Sequence, residues 1–166
     1  MRIKYIHALF FLIPFCLSAN ENSKIDSLKG ALESSKLKDK AEIYYALSKS
    51  FYNENDFLNA SKYAWEYLKI AEKTNVTEWL PHAYNIIGRY HLSRSRFDSI
   101  IHYSTLAKDI SLKSGNTEET STAYEYLGIA HYYKGEFDNA YTNWKKSLEI
   151  KKELNQEKQV ATLLNN

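Results

Sequence analysis

A repeat with a period of 40 residues constrains the fold of this chain more than any other feature of its sequence. Large side chains and small side chains each recur in the same register. The columns are Tyr44, Tyr84 and Tyr124; Leu47, Ile87 and Leu127; Ser48, Gly88 and Gly128; Phe57, Phe97 and Phe137; Ala60, Ile100 and Ala140; and Ile70, Ile110 and Ile150. Such a period is typical of repeat architectures, in which each unit buries its apolar face against its neighbours.

Each unit contains the pattern of two helices. In the first helix the large residues lie three or four positions apart, as in Tyr44, Leu47 and Phe51, which places them on one helix face. Gly128, like its small equivalents Ser48 and Gly88, would let the partner helix of its unit approach closely. A short turn follows, in which Gly135 is suited to a left-handed C-cap. The second helix begins at the phenylalanine column.

The connections between units also carry signals for helix ends. Gly115 follows one helix, and Thr117 is a plausible N-cap for the next, with Glu118 and Glu119 in its first turn. Pro81 suits the start of another helix because its missing N–H costs little there. The sequence therefore predicts a leading helix near Ser23–Leu37, helix pairs at 40–53 with 57–74, 78–93 with 97–114 and 118–134 with 137–154, and a new helix from about Glu157.

The stretch "AYEYLGIAHYYKGEFDNAYTNWKKSLEI" resembles a tetratricopeptide repeat (TPR). The matching positions of this third unit are Tyr124, Leu127, Gly128, Gly135, Phe137, Ala140 and Trp144, whereas His131 and Ser147 depart from the family pattern. The first two units match less well: Ser48 replaces the first glycine of the pattern, Ile100 the first alanine and Ser104 the aromatic residue of the second helix. The period is also longer than the usual 34 residues or so.

The resemblance implies an all-α fold, with antiparallel helix pairs stacked in a right-handed superhelix (α-solenoid). The predicted organisation is a signal peptide at 1–19, a leading helix at 20–40, repeat units at 41–80, 81–120 and 121–156, and a capping helix or the start of a truncated fourth unit at 157–166.

The resemblance also implies that the first helices line a concave groove that binds a protein or peptide. The predicted groove residues lie one step off the packing face: Tyr45, Lys49, Tyr52, Asn53, Asn85, Arg89, Leu92, Ser93, Glu125, Ile129, Tyr132 and Tyr133. Lys49, Asn85 and Arg89 are similar to a basic clamp for a C-terminal carboxylate, but their spacing differs and Glu125 opposes it. Alternatively, the rings merely cover helix surfaces.

The histidines and acids do not form a catalytic or metal-binding pattern. His91 and His131 occupy the column of Phe51, which predicts packing positions. His82 and His102 have no acid or cysteine at ligand spacing, and no nucleophile, phosphate-loop or zinc-protease motif occurs. We therefore expect no enzymatic activity, no metal and no cofactor.

The N-terminus has the layout of a secretory signal peptide: basic Arg2 and Lys4, an apolar run of about a dozen residues, then Ser18 and Ala19. The single cysteine, Cys16, lies within it, so the mature chain would contain no disulfide. The chain has 22 Lys and Arg against 20 Asp and Glu, and the signal accounts for the excess. Without a basic surface, nucleic acid is not an expected partner. The expected location is the bacterial periplasm or cell envelope.

The signal and the repeats together resemble the exported N-terminal sensor portion of bacterial TPR-containing histidine kinases or regulators. Leu164 falls in the column of Tyr124, which favours the start of a fourth unit. We therefore predict a non-enzymatic scaffold that binds protein or peptide, as the sensing part of an exported signalling protein. Membrane attachment would come only through further downstream sequence. The alternative is a free-standing periplasmic adaptor for assembly of a protein complex.

Overall fold

The computed structural model describes residues 12–74 and 77–164, and its side chains are described for 23–74 and 77–155. Every regular element in these ranges is an α-helix. The seven helices are α1 (Leu12–Ser34), α2 (Leu37–Asn53), α3 (Phe57–Thr74), α4 (Leu80–Leu92), α5 (Phe97–Ser114), α6 (Thr117–Tyr133) and α7 (Phe137–Leu164).

The helices pack in chain order, each against its neighbours in the sequence. The first helices of successive pairs also touch, α2 against α4 and α4 against α6. This neighbour-to-neighbour arrangement, with the first helices side by side, is that of a helical-repeat stack. The all-α solenoid expected from the sequence is confirmed.

The apolar columns of the repeat form the core. Leu47, Ile87 and Ile100 are completely buried, and the remaining members of their two columns, Leu127, Ala60 and Ala140, are at most 4% exposed. The exception is Phe137, which is exposed although Phe57 and Phe97 are partly buried. Among the described residues α7 packs against α6 alone, so no later helix covers the Phe137 ring.

The turn between the helices of each pair adopts the same backbone conformation in all three units. Gly135 has a φ of 78°, in the left-handed region expected for it, and Asn55 and Ser95 occupy the same position with φ of 61° and 53°. Gly115 also has a positive φ and ends α5, as predicted. Pro81 lies in the first turn of α4, again as predicted.

Several helix ends differ from the sequence prediction. α1 ends at Ser34 and α2 already begins at Leu37, because Lys36 is extended and its carbonyl accepts the N–H of Lys40. The N-cap of α6 is Asn116 rather than Thr117, because the Asn116 side chain reaches the backbone N–H of Glu119.

The separate helix predicted from about Glu157 is absent, because α7 continues without a break to Leu164. No glycine or proline occurs between Lys145 and Leu164 that would end the helix. Of the predicted signal peptide, residues 1–11 lie outside the described residues, and α1 begins at Leu12.

Candidate binding surface

The twelve predicted groove residues lie on α2, α4 and α6 or directly at their ends. Because these first helices are adjacent, groove positions of successive units can meet. The structure divides them into three groups. Some lie in two contacts between the first helices of successive units, which we call joints. Others line one open cavity, and the rest are isolated surface positions.

The joint between α2 and α4 is aromatic. Tyr45 of α2 stacks on Trp79, just before α4, with ring centroids 4.7 Å apart and planes 11° apart. His82 approaches the same Tyr45 ring edge-on, with ring centroids 5.2 Å apart. Burial, and then the negative charges of Glu119 and Glu78, raise the pKa of Tyr45. Tyr45 therefore holds two repeats together rather than presenting a free ring.

The joint between α4 and α6 is polar, although it uses equivalent positions. Asn85 and Glu119 lie 40 residues after Tyr45 and Trp79, and the Asn85 amide donates to a Glu119 carboxylate oxygen at 2.7 Å and to its backbone carbonyl at 3.0 Å. His82 Nδ1 lies 2.5 Å from the other carboxylate oxygen. Asn85 is only 3% exposed, so it serves this joint rather than an open groove surface.

Hydrogen bonds and nearby positive charge lower the pKa of Glu119. Burial by itself would raise the pKa of this carboxyl, but the hydrogen bonds from His82 and Asn85, together with the charge of Lys49, outweigh burial and leave the pKa below its usual value. His82 Nε2 and Asn85 Oδ1 are buried without a hydrogen-bond partner among the described residues. The contact of His82 with Glu119 was not predicted from the sequence. The repeat does contain a signal for this joint, because Asn85 and Glu119 are polar at the positions equivalent to Tyr45 and Trp79.

A second polar link connects the first and third units. The hydroxyls of Tyr52 on α2 and Tyr126 on α6 are 2.9 Å apart. Tyr126 is buried, which, with the neighbouring Tyr52, raises the pKa of its hydroxyl. The predicted groove residue Tyr52 is thus also engaged within the stack.

An open cavity of about 530 Å³ is lined by residues of α4, α6 and α7. Five of the predicted groove residues line it, together with one residue that the sequence assigned to packing. The lining residues are Arg89, Leu92, Ile129, Tyr132, Tyr133 and Trp144. The structure therefore brings together groove positions from the second and third units.

Stacking contacts hold the polar and aromatic walls of this cavity in place. The guanidinium of Arg89 lies over the ring of Phe57, 4.3 Å from its centroid. Tyr133 stacks on Phe97 with centroids 5.1 Å apart and planes 9° apart. Within the described part of the chain no carboxylate pairs with Arg89, so its donors remain available to an anionic group.

The remaining predicted residues do not join the cavity. Lys49 and Asn53 are exposed on α2, and the Ser93 hydroxyl donates to the carbonyl of Tyr90. Glu125 pairs with Lys151 of α7. The carboxylate clamp is not assembled, because Asn85 is buried against Glu119 and only Arg89 of the three clamp candidates faces the cavity.

Among the side chains of residues 23–74 and 77–155, no group of three or more His, Cys, Asp or Glu is placed to hold a metal ion. Across residues 12–74 and 77–164, no helix combines the length and apolar character needed to span a membrane.

The fold and this surface define an all-α helical-repeat protein with a TPR-like arrangement of helix pairs. The structure is similar to that of BtubC (BKLC) from P. vanneervenii, with a TM-score of 0.61 and 20% sequence identity over 82% of this chain and 56% of BtubC. It is also similar to MamA, with a TM-score of 0.44 and 16% identity over 84% of this chain and 94% of MamA. No protein-family model and no curated protein matches the sequence. The likeness to BtubC supports the fold alone.

Proposed function

We propose that this protein is a non-enzymatic scaffold that binds a protein or peptide at the cavity between α4, α6 and α7. The observation that carries the proposal is the cavity of about 530 Å³ itself, because five predicted groove residues from two repeats converge on it. Tyrosine, tryptophan and arginine form most of its wall, and these residue types dominate the energetics of protein interfaces.

The wall of the cavity suits an extended or helical peptide with a large apolar side chain beside a carboxylate. Leu92 and Ile129 supply the apolar floor, while Tyr132 and Tyr133 are exposed rings with polar tips. Arg89 supplies the positive charge, and its stacking on Phe57 fixes the guanidinium before a ligand arrives. A preorganised anchor reduces the entropy lost on binding.

The sequence of residues 1–19 supports an exported location for this surface, in the bacterial periplasm or cell envelope. There the chain would act as the sensing part of a signalling protein. Fusion of residues 1–22 to alkaline phosphatase, which becomes active only outside the cytoplasm, tests the export. An inactive fusion that accumulates in the cytoplasm would contradict this part of the proposal.

Peptide selection tests the binding surface directly. A phage-displayed library of random peptides is selected on the wild-type protein, and the enriched peptides are measured on a variant with Arg89→Ala and Tyr133→Ala. We expect at least a roughly ten-fold loss of affinity, about 1.4 kcal/mol, because both anchors of the cavity are removed.

The matched control is Lys113→Ala with Leu112→Ala, an exposed basic and apolar pair on α5 that lies away from the cavity. It should bind the selected peptides as the wild type does, and all three proteins should melt at similar temperatures. Equal binding by the cavity variant and the control would place the peptide site elsewhere.

A further inference from the structure

Two positions on the outer side of α7 are exposed, although both equivalent positions of α3 and one of the two in α5 are buried. Ala64 of α3 and Ser104 of α5 are fully buried, and Leu68 of α3 is 5% exposed. The α7 residues in these columns are Trp144, 38% exposed, and Leu148, 53% exposed. α4 covers α3 and α6 covers α5, whereas among the described residues α7 has no such covering helix.

The exposed side of α7 has the relief of a helix-packing surface. Trp144 and Leu148 form one ridge, and Tyr141, which is 68% exposed, begins a second ridge one row away. A hollow of about 350 Å³ lies between the two ridges. A second hollow of about 300 Å³ separates the first ridge from Ile129 of α6. Helices pack by inserting the ridges of one into such grooves of the other. We call this region the α7 end surface.

The contact between α5 and α6 shows what kind of helix covers a second helix in this stack. Ile100 of α5 packs against Tyr126 and Ala130, which lie one turn apart on α6. Near the start of α6, the hydroxyl of Thr120 lies 2.8 Å from that of Ser111 at the end of α5. On the side that faces α5, the covering helix therefore presents one large ring, Tyr126, together with small residues.

The charge around the α7 end surface favours an acidic helix. Lys145 and Lys152 border the hollow between the two ridges, where Glu149 is the one carboxylate. In the hollow beside Ile129, Lys151 pairs with Glu125, so the surface keeps a small excess of positive charge. The α6 segment from 117 to 134 has the complementary composition, because its three glutamates outnumber its single lysine.

We propose that the α7 end surface binds an acidic amphipathic helix of a partner protein, packed on α7 as α6 packs on α5. This surface adjoins the cavity lined by α4, α6 and α7, because Ile129 and Trp144 border both. Tyr141 and Leu148 do not line that cavity, so the two surfaces can be disrupted separately.

The experiment uses a helix-constrained, fluorescein-labelled peptide with the sequence of residues 117–134, because short isolated helices are only marginally stable in water. Fluorescence anisotropy measures its binding to the full chain. We expect saturable binding to the wild type and a loss of about ten-fold or more for Tyr141→Glu combined with Leu148→Glu. Leu112→Glu, on an exposed leucine of α5, should leave binding unchanged.

Three outcomes would overturn the proposal. The peptide could bind the Tyr141→Glu, Leu148→Glu variant as tightly as the wild type, or a scrambled peptide of the same composition could bind equally well. Sedimentation could also show a wild-type dimer that the same double substitution dissociates, which would make a second copy of the chain the occupant. The Arg89→Ala, Tyr133→Ala variant should still bind the peptide, because these two residues line the cavity and not the α7 end surface. This variant therefore distinguishes a failure of the present proposal from a failure of the proposed cavity site.

Discussion

The imidazole of His91 lies flat on the ring of Tyr103, with centroids 5.4 Å apart and planes 6° apart. In the preceding repeat Phe51 and Tyr63 make the same contact, at 5.5 Å and 7°. Phe51 and His91 therefore occupy equivalent packing positions and stack on the equivalent tyrosines with nearly the same geometry. The expectation that His91 occupies a packing position agrees with this contact.

His91→Phe should stabilise the protein, more at acidic pH than at alkaline pH. His91 Nδ1 is buried without a partner among the described residues, so its replacement by carbon should contribute about 1 kcal/mol. Burial, followed by the charge of Arg96, lowers the pKa of His91. The unfolded chain therefore takes up this proton first as the pH falls below about 6.5, and the wild type loses stability that the variant keeps.

Urea unfolding at about pH 5 and about pH 8 measures this difference. His102→Phe, at an exposed histidine of α5, serves as the control. An identical gain at both pH values would show that protonation of His91 does not contribute.

Gly128→Ala should destabilise the protein by about 1–3 kcal/mol. A Cβ at this position would lie 2.5 Å from the indole nitrogen of Trp144, which is too close for any ordinary contact. Combining it with Trp144→Ser, which introduces the residue type found at Ser104, should recover part of the loss. Gly30→Ala is the control, because nothing lies within 4 Å of the added atom. Thermal unfolding measures all four proteins, and equal effects at Gly128 and Gly30 would contradict the steric explanation.

Ser95→Gly should stabilise the turn of the second repeat by about 0.5–1 kcal/mol. Ser95 has a φ of 53°, a left-handed conformation that costs an L-residue roughly 1–2 kcal/mol. Glycine avoids this strain, but it also increases the conformational entropy of the unfolded chain, which offsets part of the gain. Gly135→Ser should have the opposite effect in the third repeat, where φ is 78°. Ser99→Gly, inside α5, should destabilise instead. Calorimetric melting temperatures that move in the same direction for Ser95→Gly and Ser99→Gly would be inconsistent with this prediction.

Glu119→Gln should weaken the dependence of stability on acidic pH. The hydrogen bonds from His82 and Asn85 leave the pKa of Glu119 below its unfolded value despite burial. Its ionised form therefore stabilises the fold above the unfolded pKa of about 4.3, and this contribution is lost as the pH falls through the folded pKa. Chemical unfolding from about pH 6 down to about pH 3 should give a shallower slope for the variant. Glu66→Gln, at a surface ion pair with Lys69, is the control and should keep the wild-type slope.

Much of the architecture follows from local pattern. The columns through Leu47 and Ile100 lie in the core because apolar residues at helical spacing, repeated every 40 positions, can be buried only by stacking. Gly115 and Pro81 mark helix ends because their backbone preferences do not depend on distant contacts. The prediction failed near Glu157, where the repeat frame suggested a new helix but no local breaker interrupts α7.

The sequence by itself therefore determined the helix pairs, their order and the apolar columns at the centre of the core, because these depend on spacing along the chain. The tertiary structure decided which groove positions are accessible. Asn85 and Arg89 lie one turn apart on α4, yet the first is buried against Glu119 while the second lines the open cavity. That difference depends on how closely α6 approaches α4 and on the side chains that meet there, and no pattern within a single helix contains this information.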